Sequence, residues 1–204
     1  MLRVDGVAKR LAGRWVLTDV GFEVAAGEVA GVTGPNGAGK STLLALIAGV
    51  TSVDRGRITV DGAAAGTVAA QRALGFVPEA ANPPGHLTCD EVVALVAAIK
   101  RTTLAPAVRD ALGLDHLAAH RIDRMSLGER RRTCLGAALV GTPRLLVLDE
   151  PTNGLDAAGV EVLVRLLVAR AAAGAALVVA SHDAGFLDRL DARRIALAEG
   201  RMVA

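Results

Sequence analysis

The sequence predicts an α/β fold with a largely parallel sheet. Short apolar runs alternate with helical patterns along its 204 residues, and most of those runs are continuously apolar rather than alternating. Strands that are covered on both faces look like this, and parallel sheets are the usual setting for them. One such run leads through a glycine-rich turn directly into a helical pattern. The length suits one domain.

The first strand is EVAGVTG, from Glu28. A helix from Lys40 to Gly49 follows, opening at the glycine-rich turn and ending at a glycine. A second strand is RITVDG, from Arg57. The stretch NPPG, Asn82 to Gly85, marks the entrance to a segment from Cys89 to Val140 without a strand signal. Its blocks DEVVALVAAIKR, PAVRDALG and LGERRRTCLGAALVG read as three helices. RLLVLDE from Arg144, ALVVASH from Ala176 and RRIALAEG from Arg193 return to strand, and EGRMVA follows as the tail of the last one. A helical unit over 79–142 is therefore expected as an insert between core segments 1–78 and 143–204 of one domain.

Composition narrows the function classes. Hydrophobic residues make up 52% and aromatics only 2%, so the core must be built from Ala, Val and Leu. Mean hydropathy is +0.42, yet no run reaches the ~18 residues of a membrane span. The longest apolar stretch is cut by Arg165, Arg170 and His182, and the N-terminus MLRVDGVAKR lacks the apolar segment of a signal peptide. A protein on the cytoplasmic side is expected. Lys and Arg total 23 against 21 Asp and Glu, a balance too even for nucleic-acid binding by bulk charge. Cys89 and Cys134 form no metal-binding spacing and read as reduced structural thiols.

Two segments carry chemistry. GPNGAGKST (Gly34, Pro35, Asn36, Gly37, Ala38, Gly39, Lys40, Ser41, Thr42) fits the spacing of a phosphate-binding loop. Its glycines let successive N–H groups turn inward onto phosphate oxygens, and the following helix adds the positive end of its dipole. Lys40 is placed to reach the β/γ-phosphates, and the Ser41 hydroxyl to ligate Mg²⁺. RLLVLDEPT is a buried strand that delivers Asp149 and Glu150 at its C-terminal end, where parallel sheets bind ligands. Asp149 suits the Mg²⁺ shell, and Glu150 suits accepting a proton from the attacking water.

With these motifs the sequence resembles the ATP-binding-cassette (ABC) ATPases, the nucleotide-binding subunits of ABC transporters, over nearly the whole chain. GFVPE places Glu79 where the family usually has its Q-loop glutamine. MSLGERRR matches the signature usually written LSGGQ, keeping Ser126 and Gly128, with Leu127 for a glycine and Glu129 for the glutamine. DEPTNGLD supplies the D-loop ending in Asp156, and SHD supplies the switch histidine, His182.

The resemblance implies a P-loop NTPase core with a mainly parallel sheet, an N-terminal antiparallel β element and an inserted helical subdomain. It also implies ATP hydrolysis with Mg²⁺, with Lys40, Glu150 and His182 catalytic and the signature contacting the γ-phosphate bound to the opposite subunit. The implied partners are a second copy or a paralogous ATPase subunit, and a separate transmembrane permease, with the chain peripheral on the cytoplasmic membrane face. No nucleic acid is expected. Pro-Glu at Glu79 resembles a subset of single-cassette exporter ATPases. The usual adenine-stacking aromatic is absent: Leu11 holds that place, and Trp15 lies four positions on. Arg130 to Arg132 read as a solvated helix face, and His86, His116 and His120 as surface or loop residues.

Overall fold

The computed structural model describes residues 1–80 and 82–203. In chain order, the hairpin β1 (Leu2–Leu11) and β2 (Arg14–Val24) leads to β3 (Val29–Thr33) and α1 (Lys40–Ile47). Next come β4 (Arg55–Val60), β5 (Ala63–Ala64), α2 (Val68–Ala73) and β6 (Leu74–Val77). Helices α3 (Cys89–Lys100), α4 (Pro106–Ala111) and α5 (Leu127–Ala138) follow without a strand between them among the described residues. The chain closes with β7 (Leu145–Asp149), α6 (Ala157–Ala172), β8 (Ala176–Ala180), α7 (Ala184–Arg189), β9 (Arg193–Ala198) and β10 (Arg201–Val203).

Two sheets result. One is antiparallel, in the order β2-β1-β4-β5, and the other is mixed, in the order β10-β9-β3-β8-β7-β6. Within the mixed sheet every pairing is parallel except that of β9 with β10. The expected α/β class with an antiparallel N-terminal element is borne out. β4, the RITVDG strand, belongs to the antiparallel sheet rather than to the core sheet expected for it. Its Ile58 and Val60 face inward while Arg55 and Arg57 are exposed, the one-sided burial of an antiparallel strand. Beyond β9, Arg201–Val203 pair with Ala196–Ala198.

All five residues of β7 and all five of β8 are buried. Their side chains alternate between two cores. Leu145 and Val147 pack with α1 and the antiparallel sheet, whereas Leu146 and Leu148 pack with the helices on the other face. The C-terminal ends of β3, β6, β7 and β8 consequently lie along one edge of the sheet.

The helical segment is fastened at its entry by a capping box, in which Thr88 accepts from the Glu91 N–H and Glu91 accepts from the Thr88 N–H. At its exit α5 rests on β6. A Cβ built on Gly75 would stand 2.2 Å from the Ala138 carbonyl oxygen and 2.8 Å from Leu146 Cδ2. Gly75→Ala should therefore destabilise the fold by about 3 kcal/mol, read as a lower urea midpoint. An unchanged midpoint would show that α5 does not press on this strand.

Candidate functional site

The phosphate-loop residues adopt the geometry their sequence calls for. Gly34 has φ +146, and a Cβ there would meet the Leu197 carbonyl oxygen at 2.1 Å. Gly39, the residue before α1, has φ +102, and its Cβ would meet Leu17 Cδ2 at 2.7 Å. Only glycine lets the loop turn and lie this close to β2 and β9. Lys40 is buried at the first position of α1, and its Nζ donates to the carbonyls of Gly34 (2.8 Å) and Pro35 (3.2 Å).

Asp149 and Glu150 emerge from the end of β7, both buried. Burial pushes the Asp149 carboxyl above its usual range, partly offset by the neighbouring Ser41 hydroxyl. Burial also raises Glu150, against the His182 backbone N–H, which donates to Oε2 at 3.3 Å. Glu150 Oε1 lies 3.3 Å from His182 Nε2 and is a buried acceptor without a hydrogen-bond partner among the described residues. Glu150 also sits at φ +45, a conformation that costs a non-glycine residue energy and persists only where the surroundings hold it. Its N–H donates to the Ala180 carbonyl (2.9 Å), and its own carbonyl accepts from the Asn153 N–H (3.1 Å). His182 follows β8 with a side chain 55% exposed.

These groups share a cavity of about 340 Å³ lined by Lys40, Ser41, Thr42, Glu79, Asp149, Glu150 and His182, with Val16 at its apolar end. Oxygen donors and one lysine around a glycine cradle can hold a polyphosphate and set a carboxylate against a water. The arrangement also fits Mg²⁺: the Ser41 hydroxyl and the Asp149 carboxylate line the same cavity, and hard oxygen donors of this kind suit that ion. No group of three or more His, Cys, Asp or Glu among the described residues could hold a metal alone. A cation here would complete its shell with phosphate oxygens.

The signature residues are not brought into this cavity. Ser126, Leu127, Gly128, Glu129 and Asp156 line a second one of about 370 Å³. There Ser126 caps α5: its Oγ accepts from the Glu129 N–H (3.3 Å), and Glu129 accepts from the Ser126 N–H (2.8 Å). The Ser126 N–H and hydroxyl, both donating to Oε2, hold the Glu129 carboxyl below its usual value. Leu127 is 53% exposed. Asp156 caps α6, accepting from the Gly159 N–H at 2.8 Å. A groove of about 380 Å³ between α2, β6, α3 and α5 contains none of these residues.

Trp15 does not line the phosphate cavity; the guanidinium carbons of Arg10 and Arg55 lie 5.3 and 5.1 Å from its ring centroid. One reading changes. The Arg130–Arg132 run is not simply a solvated face, because Arg131 is 3% exposed. It donates to the carbonyls of Pro78, Glu79 and Asn153. Sequence reasoning missed this residue, and its only local signal was its place one turn into an expected helix. His86, His116 and His120 are exposed, as read.

A family model described as "ABC transporter" matches residues 17–153. The chain belongs to this family. It is similar to the Nod factor export ATP-binding protein I of Rhizobium leguminosarum bv. viciae, 36% identical over 207 residues, with 98% of this chain and 67% of the relative covered. The protein of the same name from Burkholderia thailandensis is 33% identical, with 97% of this chain and 68% of the relative covered. Among solved structures, one described as the ATP-binding subunit of an ABC transporter superposes with a TM-score of 0.94 at 26% identity. It covers 100% of this chain and 88% of that one. A bacterial Atm1-family ABC exporter with ATP bound gives a TM-score of 0.83 at 25% identity, over 100% of this chain and 38% of that one. This ABC protein is an ATP-binding subunit and an ATPase. No helix of the described residues is long and apolar enough to cross a membrane.

Proposed function

We propose that this ABC subunit hydrolyses MgATP at a composite site made by two chains, its own copy or a paralogue, closing head-to-tail. It thereby energises a separate permease from the cytoplasmic face of the membrane. The separation of the two cavities carries the reading. Phosphate loop, Asp149, Glu150 and His182 share one cavity, and the signature residues line another. A partner's α5 end would supply the missing contacts, since a helix N-terminus suits an anion.

In this reading residues 34–42 bind the phosphates through main-chain N–H groups, and Lys40 neutralises the β- and γ-phosphoryl oxygens. Ser41 and Asp149 hold Mg²⁺, which supplies charge neutralisation on the phosphates when bound. Glu79 faces the same cavity in place of a neutral amide. Glu150 accepts the proton of the attacking water through Oε1. The new bond forms between the water oxygen and the γ-phosphorus while the bond to the ADP oxygen breaks. His182 orients the water or the γ-phosphate from the solvent side. The unit over 79–142 carries the signature, and 1–78 with 143–204 forms the nucleotide core. The names of the Rhizobium and Burkholderia relatives support export as the direction. Exposed Val68 and Ile99 at the groove between α2 and α3 support a protein partner there.

Light scattering with purified Glu150→Gln protein tests the composite site. MgATP should convert monomer to dimer, and ADP should not. Monomer alone at saturating MgATP would contradict it.

A further inference from the structure

We propose that Arg131 is a positioning residue: it ties the signature helix to the turn that holds Glu150 in place, and to the loop that carries Glu79. The inference rests on Glu150 being the proton acceptor. Arg131 projects from the second turn of α5 into a buried junction, where each guanidinium nitrogen has its own main-chain acceptor. Nη1 donates to Pro78 (3.1 Å), Nη2 to Glu79 (2.7 Å) and Nε to Asn153 (3.3 Å). These carbonyls lie on the loops that leave β6 and β7, the two neighbouring strands that end at the phosphate cavity. The peptide N–H of Asn153 in turn donates to the Glu150 carbonyl at 3.1 Å. Arg131 is thus one residue removed from the backbone of Glu150.

That position matters because Glu150 occupies a left-handed conformation (φ +45) which the chain would leave unless held. The turn after it is gripped twice by α5, by Arg131 at Asn153 and by Gly128, whose Cβ would stand 2.5 Å from the Gly154 carbonyl oxygen. Filling a junction for stability alone calls for an apolar side chain, since a buried guanidinium carries a desolvation cost. Burial does push Arg131 below its usual range. What the guanidinium adds is a planar fork that holds two successive carbonyls and a third on another loop, which lysine cannot do. A displacement of α5 when a partner engages its N-terminus would be passed through this fork to Glu150.

Arg131→Met and Arg131→Lys should each lower kcat by about tenfold or more while KM for MgATP stays within about threefold, because the phosphate loop is untouched. Thermal midpoints should move little for the lysine variant. The decisive readout is a cycle with Glu150→Gln, measured by single-turnover hydrolysis of radiolabelled ATP. If Arg131 acts through Glu150, adding Arg131→Lys to Glu150→Gln should slow the residual reaction by less than about twofold. Losses that multiply, a kcat within about threefold of wild type in Arg131→Lys, or a loss accounted for by unfolded protein would each overturn the proposal. Wild-type protein that Glu150→Gln does not slow would instead remove Glu150 from its role, and this inference would fall with it.

Discussion

Glu150→Gln should bind MgATP as wild type does and turn it over about 10²–10⁴-fold more slowly, the range of a positioned general base. Glutamine keeps the length of the side chain and a carbonyl oxygen for the His182 N–H, which Glu150 Oε2 now accepts. It removes the basic oxygen. Oε1 is buried and lacks a hydrogen-bond partner among the described residues, with the His182 ring 3.3 Å away on the same cavity, so it is free to accept a proton there. Steady-state phosphate release and equilibrium nucleotide binding on the same preparation check this result. Turnover within a few-fold of wild type would assign the proton to another acceptor.

Lys40→Ala acts on binding itself. Lys40 is the side-chain cation of the loop, and its attraction to the phosphates exists in the ground state as well as in the transition state. Calorimetry should show MgATP affinity reduced by about 10- to 100-fold, the equivalent of about 1.5–3 kcal/mol for a charged hydrogen bond. Nζ also bridges the carbonyls of Gly34 and Pro35. The variant loop should consequently be more open to proteolysis, with the denaturation midpoint nearly unchanged. Unchanged affinity would mean that the cradle does not hold the phosphates.

The phosphate loop and the strand ending in Asp149 and Glu150 were legible because each is contiguous. Spacing within nine residues sets the turn from Gly34 to Thr42, and four apolar residues in a row state burial on both faces. The α5 cap is local in the same way: Ser126 and Glu129 are three residues apart and bond to each other. What failed was whatever depends on distant chain. Arg131 lies among other arginines, and its burial is decided by carbonyls 53, 52 and 22 positions away. The place of Trp15 beside Arg55 likewise depends on β4, about 40 residues on. β6 is four residues with a glycine in the middle, too short to announce a strand. α6 reads as an apolar stretch broken by Arg165 and Arg170, yet only Leu163, Val164 and Leu167 of its 16 residues are buried.

The central claim is that a site needs two chains, and mixing two defective variants tests it most directly. Lys40→Ala spoils the phosphate loop. For the signature, Gly128 is a poor choice, because any side chain there strikes the Gly154 carbonyl within its own subunit. Leu127→Asp is better: Leu127 is exposed at the first position of α5, where an acid suits the helix dipole but repels a phosphate. With Glu150→Gln in both chains to prevent turnover, neither variant alone should trap nucleotide. Mixed in equal amounts, random pairing makes about half the dimers mixed, each with one intact site, so about a quarter of all sites should hold MgATP. Absence of trapped nucleotide in the mixture, with the Glu150→Gln homodimer trapping normally, would contradict the shared site.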